Sequence, residues 1–223
     1  MFRPKAVYVV MGLVFAAVLS CFAAVSAHAA DKEITLQKKA QVYIIHGYMA
    51  SPADHWFLWL KQQLAQDGAN VQILSMPNSS KPDAQEWDHY LRQHIAAPDE
   101  NTYFVAHSLG SIALLRYLAG LNGTDKIGGV VLVAGFLEPL PSLPELDGFT
   151  KTVPDLAAVV EMSPSRAVIL SNDDTIVPPV FTENLAKALD VNPVKLDKGG
   201  HFLGSDGFNE FPLVYEILTG FMN

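Results

Sequence analysis

Short apolar runs alternate along the chain with longer stretches in which apolar and polar residues mix at helical spacing. The runs are rich in Val, Ile and Leu and are followed by glycine, proline or polar residues, a pattern typical of buried β-strands. Six runs fit it: QVYIIHG (41–47), NVQILSMP (70–77), TYFVA (102–106), IGGVVLVAG (127–135), RAVILS (166–171) and NPVKLDK (192–198).

The stretches between these runs predict amphipathic helices. In one of them Ile112, Leu115 and Leu118 fall on a single apolar stripe, the spacing expected of a helix that covers a sheet. Helices are expected over 55–68, 83–95 and 109–119, after Pro179 and after Pro212.

Strands that are apolar throughout, each separated from the next by a helix, indicate a parallel sheet covered on both faces. We therefore predict an α/β fold of three layers with a mostly parallel sheet. The chain has 223 residues, half of them hydrophobic, which is enough for one domain with a sizeable core. That single domain is assigned to residues 30–223.

Residues 136–164 interrupt this alternation. The segment carries five prolines among leucines and phenylalanines, and it predicts a long loop with one short helix near residues 154–160. Long ordered insertions in compact domains are often binding loops or lids. A lid over the functional site and a plain loop are both compatible with the sequence.

The N-terminus resembles a secretory leader. Arg3 and Lys5 precede an uncharged apolar run, and a small-residue site of the A-x-A type ends at Ala29. Residues 1–29 are therefore expected to be a cleaved signal peptide, and the mature chain to be periplasmic or secreted without stable membrane association. An uncleaved membrane anchor is the alternative, because the apolar run is about as long as a bilayer is thick.

Composition excludes several classes of function. Cys21 is the only cysteine and lies in the predicted leader, so the mature chain would form no disulfide. With 15 basic and 23 acidic residues, an acidic surface would repel nucleic acids. The chain contains no cysteine cluster, phosphate-binding loop or dinucleotide fingerprint. No metal or nucleotide cofactor is implied.

Three groups of catalytic type come after predicted strands. Ser108, an Asp173-Asp174 pair and His201 each lie just beyond a strand, where parallel sheets place their active groups. Their order along the chain, Ser then Asp then His, is the order of an α/β-hydrolase triad. Taken singly, the serine could be a helix N-cap, the acidic pair solvated and the histidine structural.

Ser108 lies in a segment that departs from the usual nucleophile motif. G-x-S-x-G is expected at such a strand-to-helix turn, but here Ala106 stands in place of the first glycine, while Gly110 keeps the second. Alanine adds one methyl group, so we expect the turn to tolerate it. The segment therefore predicts a nucleophile elbow with slightly less clearance.

The segments VYIIHGYMASPADHWFLWL, FVAHSLGSIALLRYL, SNDDTIVP and GGHF resemble the small serine hydrolases of the retinoblastoma-binding-protein-nine and bacterial YdeN group. The similarity extends from about Gln41 to Phe221 and implies the α/β-hydrolase fold. It also implies that Ser108 is the nucleophile, Asp174 the acid and His201 the base. Ala106 and the leader depart from the family pattern.

Other residues near these strand ends have expected roles. The backbone N–H groups of Tyr48 and Leu109 are candidates for an oxyanion hole. His46 is expected to brace the loop after the first strand, His107 to be a packing or turn residue, and Asp173 to be a turn or capping residue. Candidate substrate-pocket residues are His55, Phe136 and Leu137.

The sequence thus predicts a metal-independent serine hydrolase that cleaves carboxylic esters or related acyl bonds of a small-molecule substrate. Because His201 must be neutral to accept a proton, kcat/KM is expected to fall below about pH 6.5, the ordinary pKa of histidine. Two alternatives stay open: an acyltransferase that uses the same acyl-enzyme, and a non-catalytic binding protein on the same fold. The oligomeric state cannot be inferred from the sequence.

Overall fold

A parallel six-stranded sheet forms the centre of the molecule, in a computed structural model that describes residues 38–121 and 126–223. The strand order is β2-β1-β3-β4-β5-β6, and every neighbouring pair runs parallel. The predicted α/β class with a mostly parallel sheet is confirmed. The strands are β1 (Gln41–Ile45), β2 (Asn70–Leu74), β3 (Thr102–His107), β4 (Gly129–Val133), β5 (Arg166–Ser171) and β6 (Val194–Leu196).

Helices cover both faces of the sheet. Helices α1 and α7 contact each other on one face, and α2 and α3 pack together on the other. The helices are α1 (Phe57–Gln66), α2 (Ala84–His94), α3 (Leu109–Ala119), α4 (Asp147–Thr150), α5 (Leu156–Met162), α6 (Pro179–Ala188) and α7 (Pro212–Met222), with short 3-10 turns at Pro144–Leu146 and Gly204–Asp206.

Alternate side chains of the strands enter two separate hydrophobic clusters. In β1, Tyr43 and Ile45 belong to the cluster under α2 and α3, whereas Val42 and Ile44 belong to the one under α1 and α7. This alternation is a consequence of the two-residue period of a strand. The central strands β3 and β4 are buried along their whole length because helices cover both of their faces.

Helix α3 is buried almost all round, which differs from the single apolar stripe expected of it. Besides Ile112, Leu115 and Leu118, the residues of its other faces are buried as well. The reason is its position, since α3 lies against the sheet and also contacts α2, α4 and α5. The central helix therefore behaves as part of the core.

The insertion at residues 136–164 contains more helix than the sequence predicted. A 3-10 turn, α4 and α5 replace the single short helix. Pro144 begins the 3-10 turn, which runs directly into α4, and Pro154 lies between α4 and α5. Several of its apolar side chains, including Leu146 and Phe149, are buried in the cluster around α3, whereas Val153 is exposed. Arg116 of α3 donates hydrogen bonds to the carbonyl oxygens of Phe149 (3.3 Å) and Thr152 (3.1 Å) and so ties the insertion to the core.

The predicted leader, residues 1–29, lies outside the described residues. Across 38–121 and 126–223, no helix combines the length and the apolar character needed to cross a membrane.

Candidate active site

Ser108 occupies a strained turn between β3 and α3. Its φ of 54° and ψ of −124° lie in a region that residues other than glycine rarely adopt. Its backbone N–H donates to the carbonyl oxygen of Val133 at 2.9 Å, which fixes the turn to β4. Although Ser108 stands at the N-cap position of α3, its hydroxyl makes no capping hydrogen bond within the described chain. The hydroxyl is therefore free for another partner.

At this turn, the second glycine of the motif is the position with no space for a side chain. A Cβ added to Gly110 would lie 2.6 Å from the carbonyl oxygens of both Ile45 and His46, closer than real atoms approach. Ala106 instead sits inside β3, fully buried and paired with Ile45 and Leu132 of the flanking strands. The close approach of helix and strand thus needs a glycine at 110 and accepts a methyl group at 106.

Ser108, His201 and Asp174 form a continuous hydrogen-bonded chain. His201 Nε2 lies 2.9 Å from Ser108 Oγ, and His201 Nδ1 lies 2.7 Å from Asp174 Oδ2. All three side chains are buried. The ring can therefore carry its proton on Nδ1, facing the carboxylate, and present a lone pair from Nε2 to the serine hydroxyl.

The two adjacent aspartates have different environments. Asp174 is buried, and its second oxygen, Oδ1, accepts from the backbone N–H groups of Ile176 and Val177 at 2.9 Å each. These bonds hold the carboxylate in the orientation that faces His201. Asp174 is the aspartate that reaches the histidine.

Asp173 is exposed and points instead at the turn before His201. Its Oδ1 accepts hydrogen bonds from the Ser171 hydroxyl (2.6 Å) and from the backbone N–H groups of Gly199 (2.9 Å) and Gly200 (2.8 Å). The Ser171 bond, together with the two amide bonds, lowers the pKa of Asp173 to about 2. Asp173 therefore joins the end of β5 to the turn after β6.

His46 orients the peptide between Gly47 and Tyr48. Its Nδ1–H donates to the carbonyl oxygen of Gly47 at 3.0 Å, because its Nε2 accepts from the backbone N–H of Met76 at 3.0 Å. In a trans peptide the N–H points away from the carbonyl. The Tyr48 N–H is thus directed away from the His46 ring.

Two backbone N–H groups close to the serine remain available. Neither Tyr48 nor Leu109, the first residue of α3, donates its amide hydrogen to an acceptor among the residues that the structure describes. The loop after β1 packs against the serine turn, since a Cβ on Gly47 would lie 2.9 Å from Ser108 Cβ and 3.4 Å from Leu109 N. Both amides therefore belong to segments that pack together beside the serine.

Of the three predicted pocket residues, one is half-buried beside a loop and two are buried in the core. His55 is half-buried, and its Nδ1 accepts from the backbone N–H of Gly204 at 3.0 Å. Phe136 and Leu137 are buried in the hydrophobic cluster around α3. The loop after β1 is linked to the insertion by Tyr48, whose hydroxyl donates a 3.2 Å hydrogen bond to Glu145.

Backbone strain concentrates at this edge of the sheet. Residues with positive φ that are not glycine cost about 1–3 kcal/mol each and are common at functional sites. Six of them lie beyond the carboxyl ends of strands: Met49, His55, Asn78, Ser108, Ala134 and Phe202, with φ between 48° and 58°. In the described part of the chain, no group of three or more His, Cys, Asp or Glu residues is arranged to hold a metal ion.

Sequence reasoning missed two contacts to the backbone of His201. His107 Nε2 lies 2.9 Å from the His201 carbonyl oxygen, and Asp206 Oδ2 accepts from the His201 N–H at 2.9 Å. The sequence signal for Asp206 was an acidic residue in the glycine-flanked turn after the histidine. Nothing local to His107 indicated its partner, which lies 94 positions away.

Comparison with known proteins matches the chain to one family of enzymes. Residues 42–220 match the profile of the family described as serine hydrolase. The chain is 45% identical to YdeN of Bacillus subtilis over 82% of this chain and 96% of that protein. It is 24% identical to serine hydrolase RBBP9 of Rattus norvegicus over 74% of this chain and 87% of that protein.

Solved structures show the same fold. The ydeN gene product of B. subtilis superposes with a TM-score of 0.80 and 45% identity, over 82% of this chain and 99% of that one. Est1E from Butyrivibrio proteoclasticus superposes with a TM-score of 0.61 at 13% identity, over 83% of this chain and 87% of that one. The second likeness concerns the fold alone.

Proposed function

Because the chain belongs to the serine hydrolase family, we propose that it cleaves carboxylic esters or related acyl bonds through an acyl-enzyme on Ser108. The observation that carries this proposal is the continuous path from Asp174 Oδ2 through the His201 ring to Ser108 Oγ, with contacts of 2.7 and 2.9 Å. A hydroxyl becomes an effective nucleophile when a neighbouring base takes its proton.

In the first half-reaction, His201 Nε2 takes the proton of Ser108 as Oγ bonds to the acyl carbon. The carbonyl oxygen becomes an oxyanion, which the N–H groups of Tyr48 and Leu109 would bind. The imidazolium then gives the proton to the leaving alkoxide as the ester bond breaks. In the second half-reaction, water attacks the acyl-enzyme, His201 takes its proton, and that proton returns to Ser108 as the acid leaves.

Asp174 supports this cycle by holding one tautomer of His201. With Nδ1–H bonded to the carboxylate, Nε2 faces the serine as an acceptor, and the negative charge stabilises the imidazolium when it forms. The two amide bonds to Oδ1 keep the carboxylate from rotating away.

Labelling with a fluorophosphonate tests the nucleophile, because the reagent bonds covalently to activated serines. We expect the wild-type protein to be labelled and Ser108→Ala not to be. Ser142→Ala, at an exposed serine of the insertion, is the matched control and should be labelled like the wild type. Equal labelling of Ser108→Ala, or an unlabelled wild type, would contradict the proposal. Products formed with a competing alcohol present would separate hydrolysis from acyl transfer.

We also propose that the protein is exported and cleaved after Ala29. The support is the sequence pattern of a charged start, an apolar run and an A-x-A site. N-terminal sequencing of protein recovered outside the cytoplasm should begin at Ala30. A mature protein that still begins at Met1 would favour the membrane-anchor alternative.

A further inference from the structure

The hydrogen-bonded chain from Asp174 through His201 to Ser108 is called the relay below. The backbone of His201 is held at both of its peptide groups by side chains that do not belong to this relay. His107 Nε2–H donates to its carbonyl oxygen, and Asp206 Oδ2 accepts from its N–H, each at 2.9 Å. We propose that His107 and Asp206 are a pair of positioning residues that clamp the backbone of His201, so that its ring spans Asp174 and Ser108. The inference rests on the proposed function, because it assigns a role within that same relay.

The turn that carries His201 has little regular structure to hold it. It comes after β6, a three-residue strand at the edge of the sheet whose residues are partly exposed. A catalytic ring that must keep two short contacts needs more rigidity than such an edge supplies, since a misplacement of about 1 Å can cost about 100-fold in rate. Side-chain contacts to the turn can supply it.

His107 can donate the hydrogen bond to the His201 carbonyl oxygen as a neutral ring that carries its proton on Nε2. A carbonyl oxygen only accepts, so the proton must be on Nε2. Nδ1 is buried with no hydrogen-bond partner among the described residues, so a second proton there would have no acceptor. Two other titratable rings lie close to the His107 ring: His201, with ring centroids 4.9 Å apart, and His55, with ring centroids 5.7 Å apart. Burial, together with the repulsion of a charged His201, holds the pKa of His107 well below its usual range.

Asp206 fits the other end of the turn closely. The same Oδ2 also accepts from the N–H of Leu203 at 3.0 Å, so one carboxylate oxygen closes the chain around His201. Gly200 makes room for it: its φ is 52°, and a Cβ there would lie 2.6 Å from Asp206 Cγ. The turn is therefore built around this carboxylate.

Paired substitutions separate positioning from packing. His107→Gln keeps an N–H donor at nearly the position of Nε2, whereas His107→Leu has a similar size and no donor. We expect His107→Leu to lower kcat and the fluorophosphonate labelling rate about 10- to 100-fold with little change in KM, and His107→Gln to keep about a third or more of both. Equal losses in the two variants would contradict a role as donor.

Substitution of Asp206 provides an independent test, because this residue is exposed and its substitution leaves the core intact. Asp206→Ala should slow labelling at least about 10-fold, while Asp206→Asn, which keeps an acceptor oxygen, should lose much less. Wild-type rates in Asp206→Ala would overturn the clamp even if His107→Leu failed to fold. If the two side chains act as one clamp, the double variant should lose about as much labelling rate as the worse of the two single variants. A loss equal to the product of the two single losses would contradict the clamp.

A control and a spectroscopic readout complete the experiment. His94 also bonds a backbone carbonyl, that of Tyr90 at 2.8 Å on the surface of α2, so His94→Leu should keep wild-type rates. The low-field proton resonance of His201 Nδ1–H should weaken in His107→Leu and Asp206→Ala and persist in the Gln and Asn variants. If the wild type is not labelled but the resonance shows this pattern, the proposed function fails and the clamp stands. If the wild type is labelled and the resonance never changes, the clamp fails.

Discussion

The histidines near the serine differ in what their ring nitrogens can do. His46 Nε2 and His55 Nδ1 each accept from a backbone N–H, and His107 Nδ1 is buried without a partner among the described residues. Each of these three rings would lose a hydrogen bond or bury an unpaired proton if it became charged. In His201, both nitrogens face side chains that can bond the neutral or the charged ring. It is therefore suited to carry a proton during the proposed reaction.

Acid should destabilise the protein through these neutral histidines. Burial lowers the pKa of His46 and of His55, and lowers that of His107 strongly. Below about pH 6.5 the unfolded chain binds protons that the folded chain does not, so the free energy of unfolding falls by about 1.4 kcal/mol per pH unit for each such group until its folded pKa is reached. Above pH 6.5 these groups impose no such loss.

Urea unfolding of the wild type and His107→Gln at pH 5 and pH 7 would measure this effect. The variant should lose less stability between the two values than the wild type does. His94→Gln, at an exposed position, should keep the wild-type difference. An unchanged difference in His107→Gln would show that this ring does not carry the acid sensitivity.

Substitution of Asp174 should lower kcat far more than substitution of Asp173. Asp174→Asn should lower kcat by about 10⁴-fold, because an amide favours the wrong tautomer of the histidine. Asp173→Asn leaves the His201 contact in place and should cost less than about 10-fold. Steady-state rates on a p-nitrophenyl ester measure both. A larger loss at Asp173 would reverse the assignment.

At the scale of elements, the strand-to-helix turn is the most constrained part of the site. The carboxyl end of β1 runs against the first turn of α3, and its carbonyl oxygens leave no space for a side chain at Gly110. The serine is therefore presented by close packing of two elements as well as by its own backbone strain. Small residues at this crossing are a packing requirement.

Gly110→Ala should destabilise the fold by about 1–3 kcal/mol, as overpacking does, and should also disturb the loop that carries the Tyr48 amide. Gly220→Ala is the matched control, because that glycine lies in α7 with nothing within 4 Å of an added Cβ. It should stabilise by about 0.5–1 kcal/mol. Thermal unfolding of both variants gives the comparison, and a neutral Gly110→Ala would contradict the crowding.

At the scale of the molecule, the sheet order assembles the site from segments far apart in the chain. The ends of β3, β5 and β6 deliver the serine, the aspartate and the histidine, and β1, which lies beside β3, adds the loop with the Tyr48 amide. The insertion between β4 and β5 reaches the same loop through Glu145. The α/β core thus fixes the relay while the insertion borders it.

The insertion should loosen without affecting the sheet when its tie to α3 is removed. Arg116→Ala deletes the hydrogen bonds to the carbonyl oxygens of Phe149 and Thr152. Amide hydrogen exchange should accelerate over residues 147–162, while β1, β3 and β4 keep wild-type protection. Lys151→Ala, at an exposed residue of the same segment, is the control. Uniform acceleration throughout the chain would instead indicate global destabilisation.

Periodicity and motif spacing were sufficient to predict the class of fold, the six strands, and the serine, the pair of aspartates and the histidine that lie beyond them. The choice of Asp174 from that pair came from the family resemblance. These features depend on which faces of local elements are apolar and on the residue types just beyond each strand, information that lies within a few residues. Their catalytic roles remain predictions. The burial of α3 on all sides and the helices of the insertion differed from expectation, because neighbouring elements rather than local pattern decide them.

The contacts that complete the site depend on residues distant in the chain. Asp173 holds the turn before His201, His107 contacts the His201 carbonyl oxygen, and Phe136 lies in the core. Each of these contacts joins residues that only the folded structure brings close together. A hydrogen bond forms wherever donor and acceptor come within about 3 Å. Local sequence sets the residue types, but only the packed sheet and helices determine which of them meet.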